Sequence, residues 1–173
     1  VPTTTIGSVA TGTNPQTVYV QGNYAYVANF GSNNVQIFDV TVPSSPISIS
    51  TTTTGTGPYA LYAQGKYVYV VNSTAGNFQI IDVTNPTTPA VTSTTTTGTA
   101  PQGIYVVGRY AYIVNNTSST LQIFDVGNPA NPILTGSVST VAAPWSVFVQ
   151  GRYAYVGGNT NGDVAIYDVS NPA

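Results

Sequence analysis

The chain has 173 residues, among them 3 Lys and Arg, 5 Asp, and no His, Cys, Met or Glu. Charged residues make up 5% of it, against about 25% in an ordinary soluble domain. This inventory excludes disulfides, Cys or His metal sites and any catalytic pair built on His. Three cations neutralise too few phosphates for nucleic-acid binding. No apolar run is long enough for insertion into a membrane as a helix. No metal and no cofactor is expected. Polarity comes instead from 27 Thr, 14 Ser, 15 Asn and 8 Gln. A hydrophobic content of 42% with 13 Tyr argues against disorder. The length suits one domain over residues 1–173. A chain that begins at Val1 and holds no Met reads as a processed product or a piece of something longer.

Taken in chain order, the first predicted element is a strand over Thr4–Thr11. Pro15 then precedes a strand at Thr17–Gln21, and Gly22 marks a tight turn into Tyr24–Asn29. The breaker Gly31-Ser32-Asn33-Asn34 leads to a strand at Val35–Val40. A Pro-bearing turn leads on to a fourth strand near Ile47–Thr54. The pattern then repeats every 43 residues. Gly22, Gly65, Gly108 and Gly151 hold that spacing, as do Pro15, Pro58, Pro101 and Pro144, and Asp39, Asp82, Asp125 and Asp168. Repeats fall at about 4–46, 47–89, 90–132 and 133–173.

The strands alternate so that both faces are apolar. In the second strand Tyr24 and Tyr26 face one side while Ala25 and Val27 face the other. Short strands buried on both faces, with a period near 43, indicate an all-β propeller of four four-stranded blades. Thr4–Thr11 aligns with the fourth strands of later repeats, and the chain stops where its last fourth strand would begin. The expectation is that Thr4–Thr11 pairs with the C-terminal blade and closes a monomeric ring, removing two free edges. Two chains forming one eight-bladed ring by exchanging N-terminal strands are a rival, as is a filament or a longer array.

Gly108-Arg109-Tyr110-Ala111-Tyr112-Ile113 and Leu121-Gln122-Ile123-Phe124-Asp125-Val126-Gly127-Asn128-Pro129 resemble the LVIVD repeats of β-propellers. Tyr26-Val27-Ala28-Asn29 is also similar to YVTN-type repeats of microbial surface-layer proteins. The resemblance covers all four repeats. It implies an extracellular or surface module and supplies no catalytic residues.

The repeated Asp residues read as turn fixtures whose carboxylates accept backbone N–H groups. Register places Lys66 near Asp82, Arg109 near Asp125 and Arg152 near Asp168, with Asn23 in the first repeat. Asp163 alone breaks the pattern, in a loop read as a turn and not a calcium site. Gln16, Tyr59, Gln102 and Trp145 follow the repeated Pro and differ from one another, which marks a candidate ligand site at the mouth of the channel. Filling of the mouth by simple packing is the competing reading. Asn72, Asn115 and Asn116 lie in N-x-Ser/Thr motifs and are candidate glycosylation sites. The Thr runs 51–54 and 94–97 fall on outer strands, as exposed β-formers or O-glycan sites. The expected function is non-enzymatic: a surface module for structural assembly, including a filament or coat, or a carbohydrate-binding adhesin. Protein or glycan partners and self-association fit this reading. A propeller lyase using Tyr and Arg is the remote alternative.

Overall fold

The structure is a computed structural model that describes residues 4–158, 160 and 162–172. The described residues form strands joined by turns. Blade 1 comprises β1 (Pro15–Gln21), β2 (Tyr24–Asn29), β3 (Asn34–Asp39) and β4 (Ile47–Thr53). Blade 2 comprises β5 (Pro58–Gln64), β6 (Tyr67–Asn72), β7 (Asn77–Asp82) and β8 (Ala90–Thr96). Blade 3 comprises β9 (Pro101–Val107), β10 (Tyr110–Asn115), β11 (Thr120–Asp125) and β12 (Ile133–Ser139). Blade 4 has three strands: β13 (Pro144–Gln150), β14 (Tyr153–Gly158) and β15 (Val164–Asp168). Each blade is an antiparallel meander in sequence order.

Local chemistry sets these limits. The repeated Pro is the first residue of each inner strand, where a missing N–H costs no ladder bond. Gly22, Gly65, Gly108 and Gly151 turn the first hairpin at φ values of 59°, 61°, 60° and 61°, which a side chain would strain. Register is constant from blade to blade: Tyr26 lies opposite Tyr19 and Ile37, and Tyr69 opposite Tyr62 and Ile80.

The core lies between blades. One layer joins Tyr26, Ala28 and Ile37 of blade 1 to Leu61, Val68 and Val70 of blade 2. Equivalent layers join blades 2 and 3 through Val71, Phe78 and Ile113, and blades 3 and 4 through Leu121, Val147 and Val156. The sheets of blades 2 and 3 thus meet a neighbour on both apolar faces, and those of blades 1 and 4 on one.

The expected closure of the ring within one chain is not formed. Thr4–Thr11 makes no strand pairing with β15, which remains a free edge. β1 packs beside β5, β5 beside β9 and β9 beside β13, but among the described residues no comparable packing joins β13 to β1. The N-terminal segment lies along blade 1 instead. The Gly12 N–H donates to Gln36 Oε1 at 3.0 Å, just as Gly55 donates to Gln79 at 2.9 Å and Gly98 to Gln122 at 2.8 Å. Gly7 abuts the Pro43 carbonyl so closely that a Cβ would clash, and Ser50 Oγ donates to the equivalent Pro86 carbonyl at 2.6 Å. The segment thus occupies the place of a preceding blade's outer strand. It is tied to the blade next to it in sequence and not to β15.

A buried amide network braces blades 1–3. Asn72 Nδ2 donates to Asn77 Oδ1 at 2.8 Å and Gln79 Oε1 at 3.0 Å, and Asn29 and Asn115 make the corresponding bonds. Gly12, Gly55 and Gly98 leave the space that these side chains fill. Blade 4 replaces the set with Val141, Gly158 and Ala165, and the Val141 side chain fills the space beside Gly158. Asn72→Ala strips Gln79 of a buried donor and is expected to cost about 1–3 kcal/mol. The combined Gly55→Val, Asn72→Gly and Gln79→Ala swap, copying blade 4, is expected to recover most of that loss in urea unfolding. A triple variant no more stable than Asn72→Ala contradicts this account.

Candidate functional site

The inner strands of all four blades line a common cleft. Gln16, Tyr59, Gln102 and Trp145 all border a cavity of about 310 Å³ together with the residues that follow them in β1, β5, β9 and β13. Tyr59 and Trp145 meet edge to face with ring centroids 5.8 Å apart, and Phe30 meets the other side of Tyr59 at 6.3 Å. Burial raises the Tyr59 phenol above its ordinary pKa. Trp145 keeps nearly half its surface exposed. Gln16 Nε2 donates to Asn14 Oδ1 at 2.7 Å. Gln102 Oε1 is buried without a hydrogen-bond partner, as are the Oδ1 atoms of Asn29, Asn72 and Asn115. An aromatic corner flanked by amides offers stacking and neutral hydrogen bonds and no ionic chemistry.

Behind the cleft runs a second aromatic array that the sequence reading passed over. Tyr19, Tyr62, Tyr105 and Phe148 occupy one repeat position and stack from blade to blade at 4.8, 5.0 and 4.9 Å between centroids. Burial, helped by the flanking Tyr19 and Tyr105 hydroxyls, pushes the Tyr62 phenol well above its ordinary pKa. The signal was present as an aromatic recurring in every first strand.

The charges lie on the rim at the first hairpins. Asp39, Asp82, Asp125 and Asp168 each accept, through Oδ1, the backbone N–H two residues on, at 2.8, 2.8, 2.9 and 3.0 Å. Arg109 forms an ion pair with Asp125, and Arg152 with Asp168. Lys66 makes no direct ion pair with Asp82 and extends over the Tyr67 ring, 5.2 Å from its centroid. A single ammonium on a flexible stem lacks the planar fork that lets Arg clasp a carboxylate. Asp163 is exposed, and its carbonyl accepts the Gly158 N–H at 2.8 Å. Its loop neighbours Asn159 and Asn161 lie outside the described residues. Among the described residues no three acidic groups converge on a cation position.

The glycosylation expectation is corrected at two of its three sites. Asn72 and Asn115 are fully buried and spend Nδ2, the atom a glycan would occupy, in the amide network. Asn116 is half-buried, with Nδ2 bonded to the Pro144 carbonyl at 3.3 Å. The Thr runs lie on β4 and β8 and on the turns that follow them.

An LVIVD repeat model matches residues 12–54, 60–97, 98–140 and 143–173. The chain belongs to the LVIVD repeat family. No curated protein matches it. Among solved structures it is similar to a Lactobacillus plantarum protein, at 15% identity and a TM-score of 0.83, covering 96% of this chain and 55% of that one. It is similar to Kuenenia stuttgartiensis hydrazine synthase at 16% identity and a TM-score of 0.80, covering 99% of this chain and 50% of that one. The chain thus spans about half the length of these two. The computationally designed Ika4 protein is matched over its full length, with 98% of this chain covered, 7% identity and a TM-score of 0.77. At these identities the likeness is one of fold. For this LVIVD chain it supports the β-propeller repeat architecture.

The rim carboxyls of Asp39, Asp82, Asp125 and Asp168 are held below their ordinary value. Hydrogen bonds from Thr41 and Thr84 do this for the first two, and chiefly the Arg109 and Arg152 side chains for the others. Lowered folded values mean that the unfolded chain takes up protons first as acid is added. The stability these turns contribute is therefore complete above about pH 5 and is lost as pH falls through the folded values. The melting temperature is expected to drop below about pH 5, and Arg152→Gln is expected to shrink that drop. An identical acid profile in the variant contradicts the assignment.

Proposed function

We propose that this LVIVD chain is a non-enzymatic module of an extracellular, cell or virion surface, and that it works as a structural component joined to other chains. One observation carries this reading. Among the described residues β15 pairs on one side only, and residues 4–11 lie along blade 1 without strand pairing. Free edges of this kind pair with another chain or aggregate unless covered. A surface poor in charge also repels its neighbours weakly, which favours association. The rim charges are absorbed by turns, and the cleft holds no acid–base pair for catalysis.

The test is electron microscopy of the native particle combined with removal of residues 1–11. The chain is expected at regularly repeated positions in a multi-chain object, and the shortened chain is expected not to enter it. Recovery of the chain only as isolated single copies contradicts the proposal. A second reading, binding of an uncharged sugar, is favoured by the half-exposed Trp145 ring set edge to face on Tyr59. Trp145→Ala is then expected to weaken sugar binding about five-fold, roughly the 1 kcal/mol of one stacking contact. Unchanged binding with an intact fold removes that reading.

A further inference from the structure

The Tyr19–Tyr62–Tyr105 stack serves neither the assembly reading nor the sugar reading, and we propose that it is an oxidative cross-linking site. A one-electron oxidant couples Tyr62 to Tyr19 or to Tyr105 as dityrosine, which staples two neighbouring blades. The site lies in the inner strands β1, β5 and β9 and involves neither chain end.

Geometry carries the proposal. Tyr19 and Tyr62 have ring centroids 4.8 Å apart with planes tilted by 49°, and Tyr62 and Tyr105 lie 5.0 Å apart at 57°. The Tyr19 and Tyr105 hydroxyls flank that of Tyr62, so the three rings run the same way and their hydroxyl ends gather together. The unpaired electron of a phenoxyl radical is shared between its oxygen and the ring carbons beside that oxygen. Those carbons face one another across each contact, the arrangement that a bond between them requires. All three rings are half-buried. A small oxidant reaches them, and a radical formed there meets its stacked neighbour before it meets another chain.

Competing sinks for the oxidant are few. The chain has no Cys and no Met, the sulfur side chains that readily take oxidising equivalents. Tyr26, Tyr69 and Tyr112 are buried. Tyr67, Tyr110 and Tyr153 lie singly beneath Lys66, Arg109 and Arg152 on the rim. Among the described residues Tyr19–Tyr62 and Tyr62–Tyr105 are the only contacts between two tyrosine rings. The fourth place in the stack holds Phe148, which has no hydroxyl and forms no phenoxyl radical. Tyr62 is therefore the hub, because it alone touches two phenols.

The step consumes two equivalents of a one-electron oxidant, such as the radicals that a peroxidase makes from hydrogen peroxide. Each phenol gives up one electron, and the two phenolic protons leave to water. The radicals join through the carbons beside their oxygens. The two ring hydrogens then move to the oxygens and restore both phenols. The product has gained one carbon–carbon bond and lost two hydrogen atoms. It ties β5 to β1 or to β9 and restricts the unfolded chain as a disulfide would.

The test exposes the full chain to photo-excited ruthenium tris-bipyridyl with persulfate, which takes up the two electrons and ends as sulfate. The expected product is dityrosine fluorescence in material of single-chain mass, lighter by two hydrogens. Peptide mapping is expected to join Tyr62 to Tyr19 or Tyr105, and the urea midpoint is expected to rise above that of the untreated chain. Tyr62→Phe is expected to lose the single-chain product, and Phe148 shows that this repeat position accepts Phe. Tyr153→Phe, which removes an exposed rim ring, is expected to keep it. Single-chain dityrosine that survives Tyr62→Phe or maps to other pairs overturns the proposal. So does dityrosine found only between separate chains, or oxidation confined to Trp145.

Discussion

Every blade of this protein is a sheet with two apolar faces, and such a sheet buries both faces only with a neighbour on each side. That constraint organises the rest of the molecule. Tyr26 and Ile37 are buried because Leu61 and Val70 cover them, and those in turn belong to a sheet covered by blade 3. The stability of an internal blade is thus a property of its junctions more than of its own strands. The same constraint explains why Val18 and Ile166, in the same strand positions as fully buried residues, face solvent at the ends.

Polar chemistry is subordinate to this stacking. Asp125 and Arg109 close a turn, and Asn72 and Gln79 brace an outer strand of the blade before against the blade that follows. Neutral amides suit a position between two sheets, where an unpaired charge would be costly and an Asn–Gln pair satisfies its donors locally. Blade 4 shows that the brace is replaceable: Val141 and Gly158 exchange volume for hydrogen bonds. Unspent acceptors remain in the network itself, at Asn29, Asn72 and Asn115 Oδ1, as well as at Gln102 Oε1 beside the cleft.

Much of this was legible in the sequence, for a physical reason. Strand positions follow from alternation, Pro at strand starts and Gly at positive φ, all of which are local. The Arg109 and Arg152 pairs were legible because antiparallel register is fixed by the hairpin. Lys66 differed because ammonium and guanidinium have different geometry, which spacing does not register. Asn72 and Asn115 looked like glycan acceptors because a three-residue motif carries no information on burial.

The sequence by itself determined a four-repeat, two-faced β array with charges confined to turns, because these properties depend on neighbours in the chain and on a fixed period. Tertiary structure alone decided whether that array closes. Closure depends on the rotation between successive sheets, which arises from the packing of Leu61 on Tyr26 or Ile113 on Val71 and is not encoded by any one segment. Here residues 4–11 rest on blade 1, β15 pairs on one side only, and among the described residues β1 and β13 share no packing comparable to that of the internal junctions.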